Sequence, residues 1–321
     1  MKQYDVVALG ELLIDLTQNG LSGQRNPLLE ANPGGAPCNV LALLTKLGHK
    51  TAFIGKVGRD GFGNQLKDAL VETGIATEGL CWDASVHTTL AVVHTFADGD
   101  RDFSFYRNPG ADMRLTREEV NMELIHQARI FHFGTLSMTD EPVRSATYAA
   151  IAEAEQAGVL RSFDPNLRPP LWRTLEEAKE QVLYGMAHCD ILKISDNEIQ
   201  WLTGLEDFDS GIRWIQERFP AIRLILLSMG RDGSRAYSGE TMAQVPAFTG
   251  VSVIETTGAG DTFFGGVLHS VLRWGLRDYT QAELTQMLTF ANAAAAIVTT
   301  RKGALRVMPG AEEIRALLES R

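Results

Sequence analysis

The sequence predicts an α/β fold in which a mainly parallel sheet is covered by helices on both faces. From Thr116 onward, short apolar runs alternate with longer amphipathic runs, as strands do when helical crossovers join them. The first strand, at residues 4–9 (YDVVAL), is apolar without alternation, which is typical of a strand buried on both faces. Glycine and polar residues follow several strands, at the edge where such sheets bind ligands.

The first part of the chain supplies two strands and two helices of this fold. A helix is predicted over residues 40–47 and ends at Gly48, and a strand at residues 51–57 precedes an amphipathic helix that runs to Glu72. Asp15 follows the first strand and is either a turn residue or a ligand contact. The glycine-rich loop at residues 58–63 matches neither the Walker A pattern nor the dinucleotide fingerprint.

A small second sheet is predicted from two segments, at about residues 12–32 and 88–110. Residues 18–32 are polar, which indicates a loop or an excursion from the main sheet. Residues 88–96 alternate, residues 98–100 form a turn and residues 103–106 are extended, which together indicate a hairpin. A hairpin does not belong in a parallel sheet, so we expect a lid over one edge. Arg107 ends this lid as either a surface cation or a sugar or phosphate contact.

The rest of the chain supplies the remaining elements of one domain, residues 1–321. Thr116 to Glu119 and Ser195 to Glu198 are capping sequences, and residues 234–246 indicate an antiparallel addition. Strands are predicted at 130–133, 159–163, 190–194 and 224–227, and helices at 141–157, 174–187, 209–219, 260–275, 280–299 and 310–320.

Composition narrows the class of protein. The 321 residues are 45% hydrophobic and 22% charged, as in ordinary soluble globular proteins. The formal net charge of −10 argues against nucleic acid or an anionic membrane as a partner. Cys38, Cys81 and Cys189 lie far apart and are predicted to be free thiols. The first residues lead directly into a strand without a signal peptide, so we expect a cytoplasmic protein.

One motif carries most of the chemistry, at residues 256–266 (TTGAGDTFFGG). Its glycines allow a tight turn, and the helix that follows offers unsatisfied N–H groups and the positive end of its dipole, which favours an anion. Asp261 would repel an anion. It is therefore either a general base or a simple cap of the first helical turn.

This motif and a second one resemble the paired signatures of ribokinase-like (pfkB-type) sugar kinases. The second is residues 34–39 (GGAPCN), and the resemblance covers essentially the whole chain. Within the family, four stretches are similar to fructokinases: residues 10–15 (GELLID), 105–112 (FYRNPGAD), 164–168 (DPNLR) and 195–198 (SDNE). The resemblance implies a Rossmann-like three-layer α/β/α core with a β-sheet lid, and transfer of the ATP γ-phosphoryl group to a sugar hydroxyl.

The resemblance also implies roles for particular residues. Asp261 would be the general base, and the amides of Gly258, Ala259 and Gly260 would stabilise the transferring phosphoryl group. ATP would bind with Mg²⁺, and relatives often dimerise through their lids. The sugar would contact Asp15, Gly34, Gly35, Asn39, Arg107 and Arg168, and the nucleotide would contact Asn197, Ser228, Gly230, Gly233 and Asn292.

Two positions depart from the family pattern. Glu255 stands where the family usually has Asp, at a site for a monovalent cation such as K⁺ that would also involve Thr257, Arg301 and Gly303. Gln200 stands three residues after Asn197, where the family commonly has Glu acting through water on the Mg²⁺ network. Neither change affects Asp261 or its glycines, so activity is expected.

The leading hypothesis is therefore an ATP-dependent fructokinase that forms fructose 6-phosphate. A kinase for 2-keto-3-deoxygluconate, ribose or a nucleoside is the alternative within the same chemistry. A sensor without catalysis on the same fold is an alternative of another class, although a sensor has no need of a base. A nicotinamide dehydrogenase is disfavoured because the first strand lacks the dinucleotide fingerprint.

Overall fold

The computed structural model describes residues 2–95 and 101–320. The strands fall into a nine-stranded sheet and a separate four-stranded sheet. In chain order they are β1 (Tyr4–Leu9), β2 (Leu13–Leu21), β3 (Pro27–Gly34), β4 (Thr51–Gly58), β5 (Ala76–Asp83), β6 (Leu90–Thr95), β7 (Arg101–Tyr106), β8 (Ala128–Gly134), β9 (Leu160–Asp164), β10 (Ile191–Ser195), β11 (Leu224–Ser228), β12 (Ser234–Ser238) and β13 (Thr241–Val245).

The nine-stranded sheet has the order β13-β12-β11-β10-β9-β8-β1-β4-β5. Its strands from β11 to β5 pair in parallel, whereas β12 and β13 are added antiparallel at one edge. Parallel strands need crossovers, and helices supply most of them. The helices are α1 (Ala36–Lys46), α2 (Gly61–Thr73), α3 (Met122–His126), α4 (Val143–Gln156), α5 (Leu175–Ala187), α6 (Asp196–Thr203), α7 (Phe208–Arg218), α8 (Ala259–Trp274), α9 (Gln281–Val298) and α10 (Ala311–Glu319).

Two hydrophobic cores lie on the two faces of this sheet. In β1, Val6 and Ala8 belong to the core that contains α1, α2, α8, α9 and α10. Val7 and Leu9 belong to the core that contains α3 to α7. Because successive strand residues point to opposite faces, a continuous apolar run serves both cores.

The four-stranded sheet is the lid, with the order β3-β2-β6-β7. Its hairpin β6–β7 is antiparallel, as predicted, but β2 and β6 pair in parallel across distant parts of the sequence. Residues 18–32, predicted to be a loop or an excursion, form the end of β2, the turn after it and most of β3. Asp15 lies within β2 of the lid, not in a turn after β1. Phe96 and the predicted turn at residues 98–100 lie outside the described residues.

The predicted strands and helices of the main sheet agree with the structure to within a few residues. The edge strand β5 and the short helix α3 were missed. Most residues of β5 are only partly buried. Its sequence (ATEGLCWD) therefore has no continuous apolar run that would have predicted a strand. Among the described residues, no helix is long and apolar enough to cross a membrane.

Candidate active site

A pocket of about 810 Å³ lies between the lid and the carboxyl ends of the parallel strands. The lid contributes Leu13, Asp15 and Phe105 to its wall. The floor comes from residues that follow β8 to β11 and from the starts of α1, α6 and α8. This is the edge at which open parallel sheets bind ligands, since the loops that follow the strands converge there.

The start of α8 contributes Gly258, Gly260 and Asp261 to the pocket. Gly258 is the N-cap with φ of 75°, a left-handed conformation that favours glycine, and a Cβ there would lie 2.6 Å from the Ala304 Cβ. The Ala259 N–H donates to the Thr256 carbonyl at 3.2 Å, and Ala259 is not among the residues that line the pocket. Of the three residues predicted to form an anion site, Gly258 and Gly260 line the pocket and Ala259 does not.

Asp261 is connected to the N-terminal motif by one hydrogen bond. The Asn39 amide, on α1, donates from Nδ2 to Asp261 Oδ2 at 2.8 Å, across 222 residues of sequence. Burial raises the pKa of the Asp261 carboxyl, an effect opposed by that hydrogen bond and by the charges of Lys193 and Arg168. The two motifs predicted to act together thus meet at the same carboxylate.

The glycine at position 34 of the N-terminal motif allows the Asp15 carboxylate to lie close to the backbone of β3. A Cβ at Gly34 would lie only 2.3 Å from Asp15 Oδ2, so a glycine is needed where β3 passes beside Asp15. Asp15 and Gly35 line the pocket, whereas Gly34 lies beside Asp15 and does not line it. Asn39 is only 3% exposed, and its Oδ1 has no hydrogen-bond partner among the described residues. An acceptor of this kind suits a ligand hydroxyl.

Sequence reasoning missed a charged group on the floor of the pocket. Lys193, in β10, is 5% exposed and its Nζ lies 3.1 and 3.0 Å from the two carboxylate oxygens of Asp164. Burial raises the pKa of Asp164 to about 7, and the neighbouring Glu198 and Asp261 charges act in the same direction against Lys193. The pKa of Lys193 is raised because Asp164 and Glu198 outweigh its burial. The sequence feature that could have revealed this group is a lysine inside the otherwise apolar strand ILKIS.

Glu198 and Asp196 are the two acidic residues that α6 brings to the pocket, and Glu198 is held by hydrogen bonds. Its carboxylate accepts hydrogen bonds from the Leu167 N–H at 2.7 Å and from the Ser195 N–H at 2.8 Å. Burial opposes ionisation, but the Lys193 charge and these hydrogen bonds lower the pKa of Glu198 overall. Gln200, to which the resemblance gave importance, lies outside the pocket lining and donates to the Glu206 carbonyl at 3.3 Å. Glu198 precedes Gln200 by two residues on α6, so the two side chains occupy different faces of the helix. An effect of Gln200 on Mg²⁺ binding stays a prediction of the resemblance.

Glu11 is a second acidic residue that was not predicted. It lines the pocket, is 4% exposed, and accepts a hydrogen bond from the Ala36 N–H at 2.8 Å. Its burial raises its pKa to about 7 in spite of that bond and of the nearby Arg107 charge. Its sequence signal was a carboxylate directly after a buried strand.

Arg107 lies at the root of the lid and not in the wall of this pocket. Its guanidinium donates to Asp112 Oδ2 at 2.7 Å, to Thr139 Oγ1 at 2.9 Å and to the Leu136 carbonyl at 2.8 Å. Asp112 also accepts a hydrogen bond from Thr89 Oγ1, at the other end of the β6–β7 hairpin. The three residues form a buried latch, which we call the Arg107–Asp112–Thr89 latch. In this structure it ties both ends of the hairpin to the core.

The residues predicted to contact the nucleotide divide into two groups. Asn197, Ser228 and Gly230 line the pocket, as does Arg168 from the predicted sugar set. Asn292 instead donates to the Val245 and Pro246 carbonyls at 3.2 and 3.3 Å and accepts from Ser234, so it joins α9 to the edge of the sheet. Gly233 supports the same edge, since a Cβ there would lie 2.1 Å from the Val245 carbonyl oxygen.

The predicted cation-site residues lie beside the pocket. Glu255 accepts hydrogen bonds from the Thr257 hydroxyl and from the Gly303 N–H, the latter at 3.1 Å. The Arg301 side chain turns towards the Val307 carbonyl and Glu313. Only Thr257 of this group lines the pocket.

The balance of charge in the pocket is acidic. Its lining contains five carboxylates and two cations: Glu11, Asp15, Asp196, Glu198, Asp261, Arg168 and Lys193. No group of three His, Cys, Asp or Glu residues that could hold a metal ion by itself occurs within residues 2–95 and 101–320. A polyphosphate would therefore be repelled here unless it arrived with a cation of its own.

Comparisons with known proteins show the family and the fold of this chain. A family model described as pfkB family carbohydrate kinase matches residues 3–310. Fructokinase-1 of Zea mays is 40% identical over 316 residues, which cover 98% of this chain and 97% of that protein. The crystal structure of fructokinase with bound ATP from Xylella fastidiosa has a TM-score of 0.90 at 31% identity and covers 100% of this chain and 99% of that one. Fructokinase from Vibrio cholerae O395, in its fructose, ADP and calcium ion bound form, has a TM-score of 0.87 at 30% identity, covering 98% and 99%.

Proposed function

The chain belongs to the pfkB family of carbohydrate kinases, and we propose that within this family it is a fructokinase with Asp261 as its general base. The matches confirm the ribokinase-like α/β fold and the ATP-dependent sugar kinase activity that the resemblance predicted. The proposed reaction transfers the γ-phosphoryl group of ATP to the 6-hydroxyl of D-fructose.

The contact between Asn39 and Asp261 is the observation that carries the proposal. It holds one carboxylate between the glycine turn of α8 and the N-terminal motif, in a pocket large enough for two small ligands. Burial disfavours the charged carboxylate and so increases its basicity, which helps it to accept a proton. A carboxylate that served only as a helix cap would not need this position.

The donor side of the pocket fits a phosphoryl group. Gly258 and Gly260 lie at the N-terminus of a sixteen-residue helix, α8, whose first N–H groups have no intrahelical partners. Such amides, with the helix dipole, stabilise negative charge as it builds up on the transferring oxygens. Asp261 would accept the proton of the sugar hydroxyl as that oxygen attacks phosphorus and ADP leaves.

The acceptor side fits a sugar. Asn39 Oδ1 is a buried acceptor without a partner among the described residues, and Asp15 and Gly35 face the same space from the lid and the start of α1. We propose that these residues hold the sugar hydroxyls, with Arg168 at the phosphate end. Arg107 acts differently in this proposal, by holding the lid that carries Asp15 and Phe105.

Mg²⁺ is the proposed metal, bound together with ATP. The acidic lining and the lack of a three-residue metal cluster among the described residues fit an ion held mainly by phosphates and water, the usual way in which Mg²⁺ binds. We propose that Glu198 and Asp196, which line the pocket at the start of α6, face this ion. The ion would neutralise phosphate oxygens that these carboxylates otherwise repel.

The substitution Asp261→Asn tests the assignment of the base. It keeps the shape of the side chain but removes the proton acceptor, so kcat should fall by about 10²–10⁴-fold. Fructose and a non-hydrolysable ATP analogue should still bind, as measured by calorimetry. A variant that keeps more than a tenth of the wild-type kcat would refute the assignment.

A panel of acceptors tests the choice of sugar. With coupled detection of ADP, kcat/KM should be higher for fructose than for ribose, 2-keto-3-deoxygluconate or a nucleoside. A higher value for any of those would replace fructose as the substrate. Absence of turnover on every acceptor, with sugar and nucleotide still bound, would indicate the sensor.

We also propose a homodimer and a cytoplasmic location. Leu21, Leu28, Leu29 and Tyr106 of the lid sheet are between 48% and 65% exposed, an apolar surface that fits a second lid. Light scattering after gel filtration would give the mass, and a monomer would refute the dimer. All three cysteines are free, which agrees with a reducing compartment.

A further inference from the structure

We infer that Lys193 is a further catalytic residue, whose ammonium group contacts the transferring phosphoryl group at the floor of the pocket. The inference rests on the proposed kinase site. It goes beyond that site, in which the helix amides, Asp261 and Arg168 are the protein groups placed at the transferring phosphoryl group.

The position of Lys193 points to the glycine turn. The residue lies in β10 and lines the pocket, and its side chain is 7% exposed. A Cβ at Gly260 would lie 3.3 Å from Lys193 Nζ, so the ammonium is adjacent to the proposed anion site at the start of α8. Substitution of Gly260 would therefore crowd the lysine directly.

Asp164 holds this ammonium in place. Both of its carboxylate oxygens lie within 3.1 Å of Lys193 Nζ. A lysine ammonium has three N–H donors, and Asp164 is its hydrogen-bond partner in the part of the chain that the structure describes. At least one donor is therefore left for a ligand in the pocket. An anchored donor needs little reorganisation when charge develops in front of it.

The Lys193 ammonium also lowers the electrostatic repulsion that a phosphoryl group would meet in this pocket. A buried ion pair contributes little net stability, because desolvation of both charges offsets their attraction. Lys193 also faces the Glu198 and Asp261 carboxylates, so the cluster carries more negative than positive charge. A phosphoryl group entering this space would be repelled by those carboxylates if the ammonium were absent.

Lys193 takes no part in the proton transfer of the chemical step. A bond forms between the sugar oxygen and the γ-phosphorus, and the bond from that phosphorus to the β–γ bridging oxygen breaks. The hydroxyl proton moves to Asp261, and ADP leaves with the electron pair of the broken bond. Lys193 keeps its proton and stabilises charge on the oxygens of the moving group.

The test compares Lys193→Met with Lys56→Met. Lys56 is a matched control because it is also a buried lysine, 7% exposed, with its Nζ 2.7 Å from Glu119 Oε1, and it is not among the residues that line the pocket. Lys193→Met should lower kcat by about 10²-fold or more, as the loss of a charge-stabilising donor does in other enzymes. Lys56→Met should keep kcat within a few fold, and Lys193→Arg should recover part of the loss.

A double variant separates catalysis from folding. Lys193→Met leaves Asp164 buried without its partner, so the single variant should have a lower melting temperature. Lys193→Met with Asp164→Asn removes both charges and should restore the melting temperature without restoring kcat. A folded double variant with kcat within a few fold of wild type would overturn the inference and leave Lys193 a structural residue.

The assay also separates this inference from the proposed function. Every variant is measured with the acceptor that wild type phosphorylates fastest in the panel. If that acceptor is not fructose, the sugar assignment fails while the ratio of variant to wild-type kcat still tests Lys193. The Asp261→Asn variant, assayed in parallel, reports on the base separately.

Discussion

The Arg107–Asp112–Thr89 latch predicts a large effect for Asp112→Ala. The Arg107 and Asp112 side chains are each 2% exposed, with 2.7 Å between Nε and Oδ2. The substitution leaves the guanidinium buried beside an empty space and removes the acceptor of the Thr89 hydroxyl. Breaking one side of a buried pair costs about 3–5 kcal/mol. We therefore expect the free energy of unfolding to fall by about 4 kcal/mol, a large part of the ~5–15 kcal/mol of a typical protein.

The same substitution should weaken sugar binding more than catalysis. The Thr89 carbonyl accepts a hydrogen bond from the Ile14 N–H at 3.1 Å, so the latch also positions the strand that carries Asp15. Phe105, at the other end of the hairpin, lines the pocket. A looser lid should raise the KM for sugar with a smaller change in kcat, because Asp261 and the glycine turn lie on α8.

Urea denaturation and steady-state kinetics measure both effects. The double variant Arg107→Met with Asp112→Leu serves as the first control, since it removes both charges and should be more stable than Asp112→Ala. Arg173→Ala is the second control, because Arg173 pairs with Asp140 at the surface with 73% of its side chain exposed and should cost less than about 1 kcal/mol. The reasoning fails if Asp112→Ala costs as little as Arg173→Ala.

Two further predictions concern ionisation and cations. The pKa of Glu11 is raised to about 7 from 4.5, so between those values the folded state binds the proton that the unfolded state has lost, and stability falls as pH rises. Glu11→Gln cannot ionise, so by urea denaturation its free energy of unfolding should exceed that of wild type by up to roughly 3 kcal/mol at pH 8. Below pH 5 the two proteins should have nearly equal stability. An equal difference at both pH values would contradict an origin in the ionisation of Glu11. If the resemblance at Glu255 holds, kcat should be higher in KCl than in tetramethylammonium chloride of equal ionic strength, and Glu255→Gln should reduce that difference. Equal rates in both salts for wild type would remove the cation site.

Local patterns were sufficient to predict much of the fold. Strand β1 is readable because a continuous apolar run is buried on both faces, and α6 because Ser195 and Glu198 form a capping box. Each of these signals depends on a few adjacent residues. The edge strand β5 has partly buried residues and no such signal, so it was missed.

The candidate site divides in the same way. Asp261 and its glycines form a compact motif, so their position at a helix N-terminus followed from neighbouring residues. Lys193 and Asp164 belong to different strands, and Arg107 was assigned to the sugar although its guanidinium is bound within the latch. A side chain's role in such cases depends on which atoms surround it, and those atoms come from distant parts of the chain.

The sequence by itself determined the class of fold, the order of most elements and the position of the Asp261 motif at the start of a helix, because these depend on periodicity and on short-range backbone geometry. The tertiary structure decided that Asn39 meets Asp261 across 222 residues, that β2 pairs in parallel with β6, and that a buried lysine lies beside the glycine turn. Strand order and register bring these groups together, and neither is written in the local pattern of any one segment.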